Sequence, residues 1–91
     1  MNKAILVGLG GRGRYWYNQC RNHPGVQIVA CVEPAQTNQQ RAIAELEVPA
    51  KSLYGDLGQA LDAVQADFVL DVTPPAVHES IALTTFAAGL H

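Results

Sequence analysis

The stretch Ala4-Ile5-Leu6-Val7-Gly8-Leu9-Gly10-Gly11-Arg12-Gly13 decides the fold of this chain. An apolar run ends in a glycine turn, and a helix is expected to begin at once. Gly8, Gly10 and Gly13 fall in the spacing G-x-G-x-x-G, in which each glycine has its own steric task. Gly8 lets the chain turn off the strand. Gly10 carries no Cβ, so the backbone can come close to a pyrophosphate. Gly13 lets the new helix pack tightly on the strand. The helix N-terminus adds unpaired N–H groups and a partial positive charge. By itself this spacing is a weak signal, because glycine turns after strands are common.

Outward from this turn, strands and helices alternate. Lys3 to Val7 is apolar enough to be a strand covered on both faces. Arg12 to Arg21 is expected to be a helix, with Trp16, Tyr17 and Cys20 at helical spacing as packing residues. Asn22-His23-Pro24-Gly25 stops it. Val26 to Val32 is a second apolar, β-branched run. Ala35 to Leu46 is expected to be a helix with Arg41 and Glu45 paired four residues apart on its polar face, broken by Val48-Pro49. Ser52 to Tyr54 is a short third strand, and Asp56 caps a helix from Leu57 to Val64. Asp67 to Thr73 is the fourth strand; Asp71 is expected near its end, either bonded to backbone donors or meeting solvent, with a role near the crevice as the alternative. A last helix runs from Pro75 to Ala88, with Gly89 as its cap.

This order implies an α/β fold, a three-layer Rossmann-type parallel sheet with strand order 3-2-1-4 and a crevice between strands one and four. Leu90-His91 look like the start of a fifth strand, so the sheet is expected to be incomplete and the chain part of a longer polypeptide. The apolar edge of strand four is then expected to promote self-association.

Composition narrows the function classes. With 91 residues the chain forms one domain at most. Its 48% apolar content fits a globular chain and argues against disorder. Net charge is −2, and Lys3, Arg12, Arg14, Arg21, Arg41 and Lys51 are scattered, which argues against a nucleic-acid surface. No stretch has the length of a membrane span or the layout of a signal peptide, so a cytoplasmic protein without membrane contact is expected. Cys20 and Cys31 fit no metal or redox spacing and are expected to be buried thiols; no metal site is expected.

Glu33 ends the second strand, twenty residues after Gly13. A carboxylate there can accept hydrogen bonds from adenosine ribose hydroxyls and would repel a 2′-phosphate. No cation follows it closely, which favours NAD over NADP. The pairing with the glycine turn is what gives Glu33 weight.

Val7 to Gly13, Glu33, Asp56-Leu57, Asp71-Val72-Thr73-Pro74-Pro75 with His78, and Ala87-Ala88-Gly89-Leu90-His91 together resemble the N-terminal domain of the glucose–fructose oxidoreductase / inositol dehydrogenase family (Gfo/Idh/MocA). The resemblance covers essentially the whole chain, residues 1–91, as the N-terminal part of a dinucleotide-binding domain. It implies that Gly8, Gly10, Gly11, Arg12 and Gly13 hold the pyrophosphate and that Glu33 holds the ribose. It also implies that Thr73, Pro74, Pro75 and His78 lie at the nicotinamide end. Family members continue into a Glu-Lys-Pro motif, whose lysine is the usual catalytic residue, and a substrate domain, both absent here. No catalytic residue is therefore expected within this chain.

The implied parent is an oxidoreductase moving a hydride between nicotinamide and a sugar, cyclitol or related polyol, the chain itself being catalytically silent. Two alternatives stay open, a non-enzymatic dinucleotide sensor and an S-adenosylmethionine-dependent methyltransferase.

Overall fold

The computed structural model describes residues 2–73, together with Thr85 and Gly89. The order of elements is β1 (Asn2–Val7), α1 (Gly11–Arg21), β2 (Val26–Val32), α2 (Gln36–Leu46), β3 (Leu53–Tyr54), α3 (Leu57–Ala63) and β4 (Phe68–Asp71). The four strands form one parallel sheet in the order β3-β2-β1-β4, the Rossmann-type order expected from the sequence. Of the last predicted helix, from Pro75 to Ala88, only Thr85 is described; it is helical and buried. Gly89 has a positive φ of 77°, the backbone expected of a helix cap.

Strand side chains alternate between two faces, and each face has its own core. On one, Ile5 and Val7 of β1 meet Ala30 and Val32 of β2 and Leu57 and Ala60 of α3. On the other, Leu6 and Leu9 meet Cys31, Ala42, Leu46 and Val48. The run Ala4 to Val7 is buried throughout because helices cover both sides. β1 pairs with β2 from Asn2 opposite Val26 to Val7 opposite Val32, with one register shift between Ala4 and Ile5. On its other side β1 pairs with β4, placing Val7 opposite Asp71.

Several local expectations are corrected. Trp16 is not a core packing residue: the inward side of α1 runs through the buried Gly13 and the half-buried Tyr17 and Cys20, and Trp16 lies off it, 38% exposed. Its ring meets the exposed Tyr15 ring edge-on at 5.6 Å. Glu45 does not pair with Arg41. Helices α1 and α2 lie on the same face, and Glu45 reaches across to Arg14 at 2.7 Å. Both side chains of that pair are well solvated, so it contributes at most about 1 kcal/mol. Cys31 is buried, and burial pushes its thiol up to about 12, whereas Cys20 is only half-buried. Ser52 belongs to a single 3-10 turn, Ala50–Ser52, that leads into β3.

The ends of α2 and α3 follow from their residues. Asp56 caps α3, its carboxylate accepting from the Gln59 N–H at 2.9 Å. Helix α2 ends at Glu47, which sits in the left-handed region at φ 60°, and the Val48 N–H then donates to the Ala42 carbonyl. A Cβ is disfavoured in that region and glycine is not. Glu47→Gly is therefore expected to raise stability by about 0.5–1 kcal/mol, read as a higher Tm in thermal unfolding.

Strand β4 stops earlier than the prolines alone suggest. The Val72 N–H still bonds the Val7 carbonyl at 3.0 Å. Then Asp71 accepts from both the Thr73 N–H and the Thr73 hydroxyl, which turns the chain away from the sheet. Asp71 thus stands at the strand end and bonds a backbone donor, as expected.

Candidate cofactor cleft

β1 ends at Val7, and the Gly8 N–H bonds the Val32 carbonyl of β2 at 2.8 Å. Gly8 then takes φ 102°, a conformation that side chains disfavour. A Cβ there would also press on Val72 and Thr73, at 3.3 and 3.4 Å. Gly13 is required for a different reason. A Cβ on it would sit 1.8 Å from the Gly8 carbonyl oxygen, inside any allowed contact. The first turn of α1 thus lies directly on the end of β1.

Gly10 and Gly11 contrast with both. Their φ values are not in the left-handed region, and no described atom lies within 4 Å of where a Cβ would be. Gly10 is the cap residue of α1, with φ −72°, and gives no side-chain cap. Among the described residues nothing requires glycine at these two positions, and the missing side chains leave this backbone open to the cleft.

The first hydrogen bond within α1 runs from the Arg14 N–H to the Gly10 carbonyl. The N–H groups of Gly11, Arg12 and Gly13 therefore have no partner within the helix. No acidic residue of the helix itself offsets the positive potential of its end, and Arg12 adds to it.

Glu33 follows β2 and is 6% exposed, a buried carboxylate. One oxygen accepts from the Leu9 N–H at 2.7 Å, inside the glycine turn. The other accepts from the Ala35 N–H at 2.8 Å, at the start of α2. Glu33 thus ties the β1–α1 turn to the β2–α2 turn. Carboxylate oxygens have further lone pairs, so acceptor capacity remains.

These elements surround one cleft of about 550 Å³, lined by Gly8, Gly10, Gly11, Arg12, Gly13, Glu33, Pro34, Asn38, Val72 and Thr73. That volume lies within the range of small-molecule sites. The cleft sits beyond the carboxyl ends of β1, β2 and β4, where strand order switches between β1 and β4. All seven sequence-predicted residues that the structure describes, Gly8, Gly10, Gly11, Arg12, Gly13, Glu33 and Thr73, line it. Pro74, Pro75 and His78 lie outside the described residues. Pro34, Asn38 and Val72 also line the cleft; Val72 belongs to the Asp71-to-Pro75 motif, whereas nothing in the sequence assigned a site role to Pro34 or Asn38. The features present fit a dinucleotide: a helix end for a pyrophosphate, two glycines open to the cleft, and a buried acceptor for a ribose diol.

Comparison with known proteins agrees. The family model described as "Oxidoreductase family, NAD-binding Rossmann fold" matches residues 2–91. An inositol 2-dehydrogenase from Leifsonia xyli subsp. xyli is 33% identical over 90 residues, covering 94% of this chain and 26% of that protein. The crystal structure of myo-inositol 2-dehydrogenase from Lactobacillus plantarum superposes with a TM-score of 0.84 at 25% identity, over 99% of this chain and 26% of that one. An Agrobacterium radiobacter oxidoreductase, solved with NAD+, L-tartaric acid and magnesium, shares the fold with a TM-score of 0.87 at 18% identity, over 98% of this chain and 25% of that one. The chain therefore spans about a quarter of the length of these relatives. With the glycine turn, the parallel sheet and the family match in agreement, the chain belongs to the Gfo/Idh/MocA oxidoreductases and corresponds to their NAD-binding Rossmann domain.

Proposed function

We propose that this chain is the cofactor-binding part of a dehydrogenase that moves a hydride between NAD and a carbinol carbon of a sugar, cyclitol or related polyol. The observation that carries this reading is the meeting of the α1 N-terminus and the Glu33 carboxylate in one cleft at the sheet switch point. The polyol class comes from the inositol dehydrogenases among its relatives. NAD supplies the redox chemistry when bound, and the protein supplies position and electrostatics.

The three residues Gly11, Arg12 and Gly13 would hold the pyrophosphate through their free N–H groups, with the Arg12 guanidinium as a further donor. Glu33 would take the adenosine ribose hydroxyls. Thr73 stands beside Gly8 and, with Pro74, Pro75 and His78, would border the nicotinamide end. No residue within the chain is assigned as general acid or base.

NAD is favoured over NADP because Glu33 would face a 2′-phosphate. Arg12 is the only cation lining the cleft among the described residues, and it belongs to the pyrophosphate turn. Titration of the chain with NAD, NADP and S-adenosylmethionine, followed by calorimetry, tests the proposal. NAD is expected to bind tightest, with NADP weaker by on the order of tenfold or more, as one unfavourable charge contact implies. Tighter binding of S-adenosylmethionine than of NAD would sink it.

A further inference from the structure

Asn38 lines the cleft beside Glu33 and Pro34 and has no role in the fold that its chemistry would explain. It is the third residue of α2, whose cap is Ala35. A polar side chain at that position commonly reaches back to the cap residue's N–H. Here that N–H is already taken by the Glu33 carboxylate. Helix α2 makes no side-chain cap bond, and among the described residues the half-buried Asn38 carboxamide has no hydrogen-bond partner. Asparagine is also a poor helix former away from the cap position.

We propose that Asn38 is a specificity-determining residue that donates its Nδ2–H to the adenosine ribose hydroxyl oxygens while Glu33 accepts hydrogen bonds from the same hydroxyls. This rests on the assignment of Glu33 to the ribose. A ribose hydroxyl is at once a donor and an acceptor, and an ionised carboxylate only accepts. Glu33 can therefore satisfy the hydroxyl protons of a diol and leaves their oxygens without donors. Asn38, which lines the same cleft, supplies the donor without adding charge. The pair reads an uncharged diol as a unit.

The direction of the Asn38 bond makes the proposal testable with two substitutions of opposite sign. Asn38→Asp replaces the donor with an acceptor beside Glu33. In the fold, however, an acid in the first turn of α2, which has none, is favourable to the helix dipole. Stability and binding are thus expected to move in opposite directions. The wild-type chain and the variants Asn38→Ala and Asn38→Asp would each be titrated with ADP and with 2′,3′-dideoxy-ADP, and melted without ligand.

The wild type is expected to prefer ADP to the dideoxy analogue. Asn38→Ala should lose about fivefold in ADP affinity, the worth of one ordinary hydrogen bond, with the dideoxy analogue unaffected. Asn38→Asp should lose more than Asn38→Ala toward ADP while melting at or above the wild-type temperature. An unchanged preference for ADP over the analogue in Asn38→Ala would overturn the proposal, as would ADP affinity in Asn38→Asp equal to or above wild type. A wild-type chain that binds both nucleotides equally would instead remove the ribose from Glu33, and the role of Asn38 with it.

Discussion

Gly13→Ala is expected to unfold far below the wild-type temperature. The new methyl group would lie 1.8 Å from the Gly8 carbonyl oxygen and 2.6 Å from its carbon. Both are backbone atoms, and Gly8 is held by its own bond to Val32. No flexible side chain can move aside, so α1 must lift from the end of β1. Overpacking of this kind costs about 3 kcal/mol or more. In a domain of this size such a loss lowers Tm by roughly 12–24 °C. Gly10→Ala is the control. It meets no described atom, and its φ of −72° suits alanine, so its Tm should stay within about 5 °C of wild type. Its methyl group would stand where the proposed pyrophosphate approaches, so NAD binding should fall while the fold stays intact. Thermal melts and NAD titrations of the two variants check both. A Gly13→Ala chain with wild-type Tm would refute the contact between the glycine turn and α1.

Glu33→Ala is expected to abolish the discrimination between NAD and NADP. NAD should bind more weakly, because an acceptor for the ribose hydroxyls is gone. NADP should lose less or gain, because the charge facing its 2′-phosphate is gone as well. The ratio of the two affinities should fall by on the order of tenfold. Stability falls in parallel. The Leu9 N–H is buried and loses its acceptor, at a cost of about 1–3 kcal/mol. The Ala35 N–H lies nearer the surface, where water can replace the carboxylate. Loosening of the turn weakens both dinucleotides alike, so the ratio isolates the ribose contact. Competition titrations measure it, and an unchanged ratio would take Glu33 out of the site.

Much of this architecture is legible in the sequence. Ala4 to Val7 and Val26 to Val32 read as strands from their apolar runs, their alternation with helices implies a parallel sheet, and the glycine turn points to the Rossmann order of its strands. Gly8 and Gly13 are readable because the steric demand is local to one turn. Asp56 is readable for the same reason. Contacts between elements are not. Glu45 could be matched with Arg41 along its own helix, but its partner Arg14 is 31 positions away in sequence and becomes a neighbour only when α1 and α2 share a face. Trp16 and Tyr17 are adjacent in sequence, and only the rotation of α1 on the sheet decides which of them is buried. Asn38 carries no signal of its own, since an asparagine in the first turn of a helix resembles many others. What sets it apart is that Glu33 has already used the N–H it would otherwise bond.

The double attachment of the Glu33 carboxylate bears on how this domain can evolve. A change of cofactor preference is often pictured as one substitution after the second strand. Here that substitution also removes the acceptor that joins two turns. On the proposed assignment of Glu33 to the ribose, a lineage shifting toward a 2′-phosphorylated cofactor would have to find a new acceptor for the Leu9 N–H, or carry a weaker fold until one appears. Cofactor choice and foldability would then be inherited together at this position, and the neighbours that share the Glu33 bonds would constrain the route as much as the ligand does.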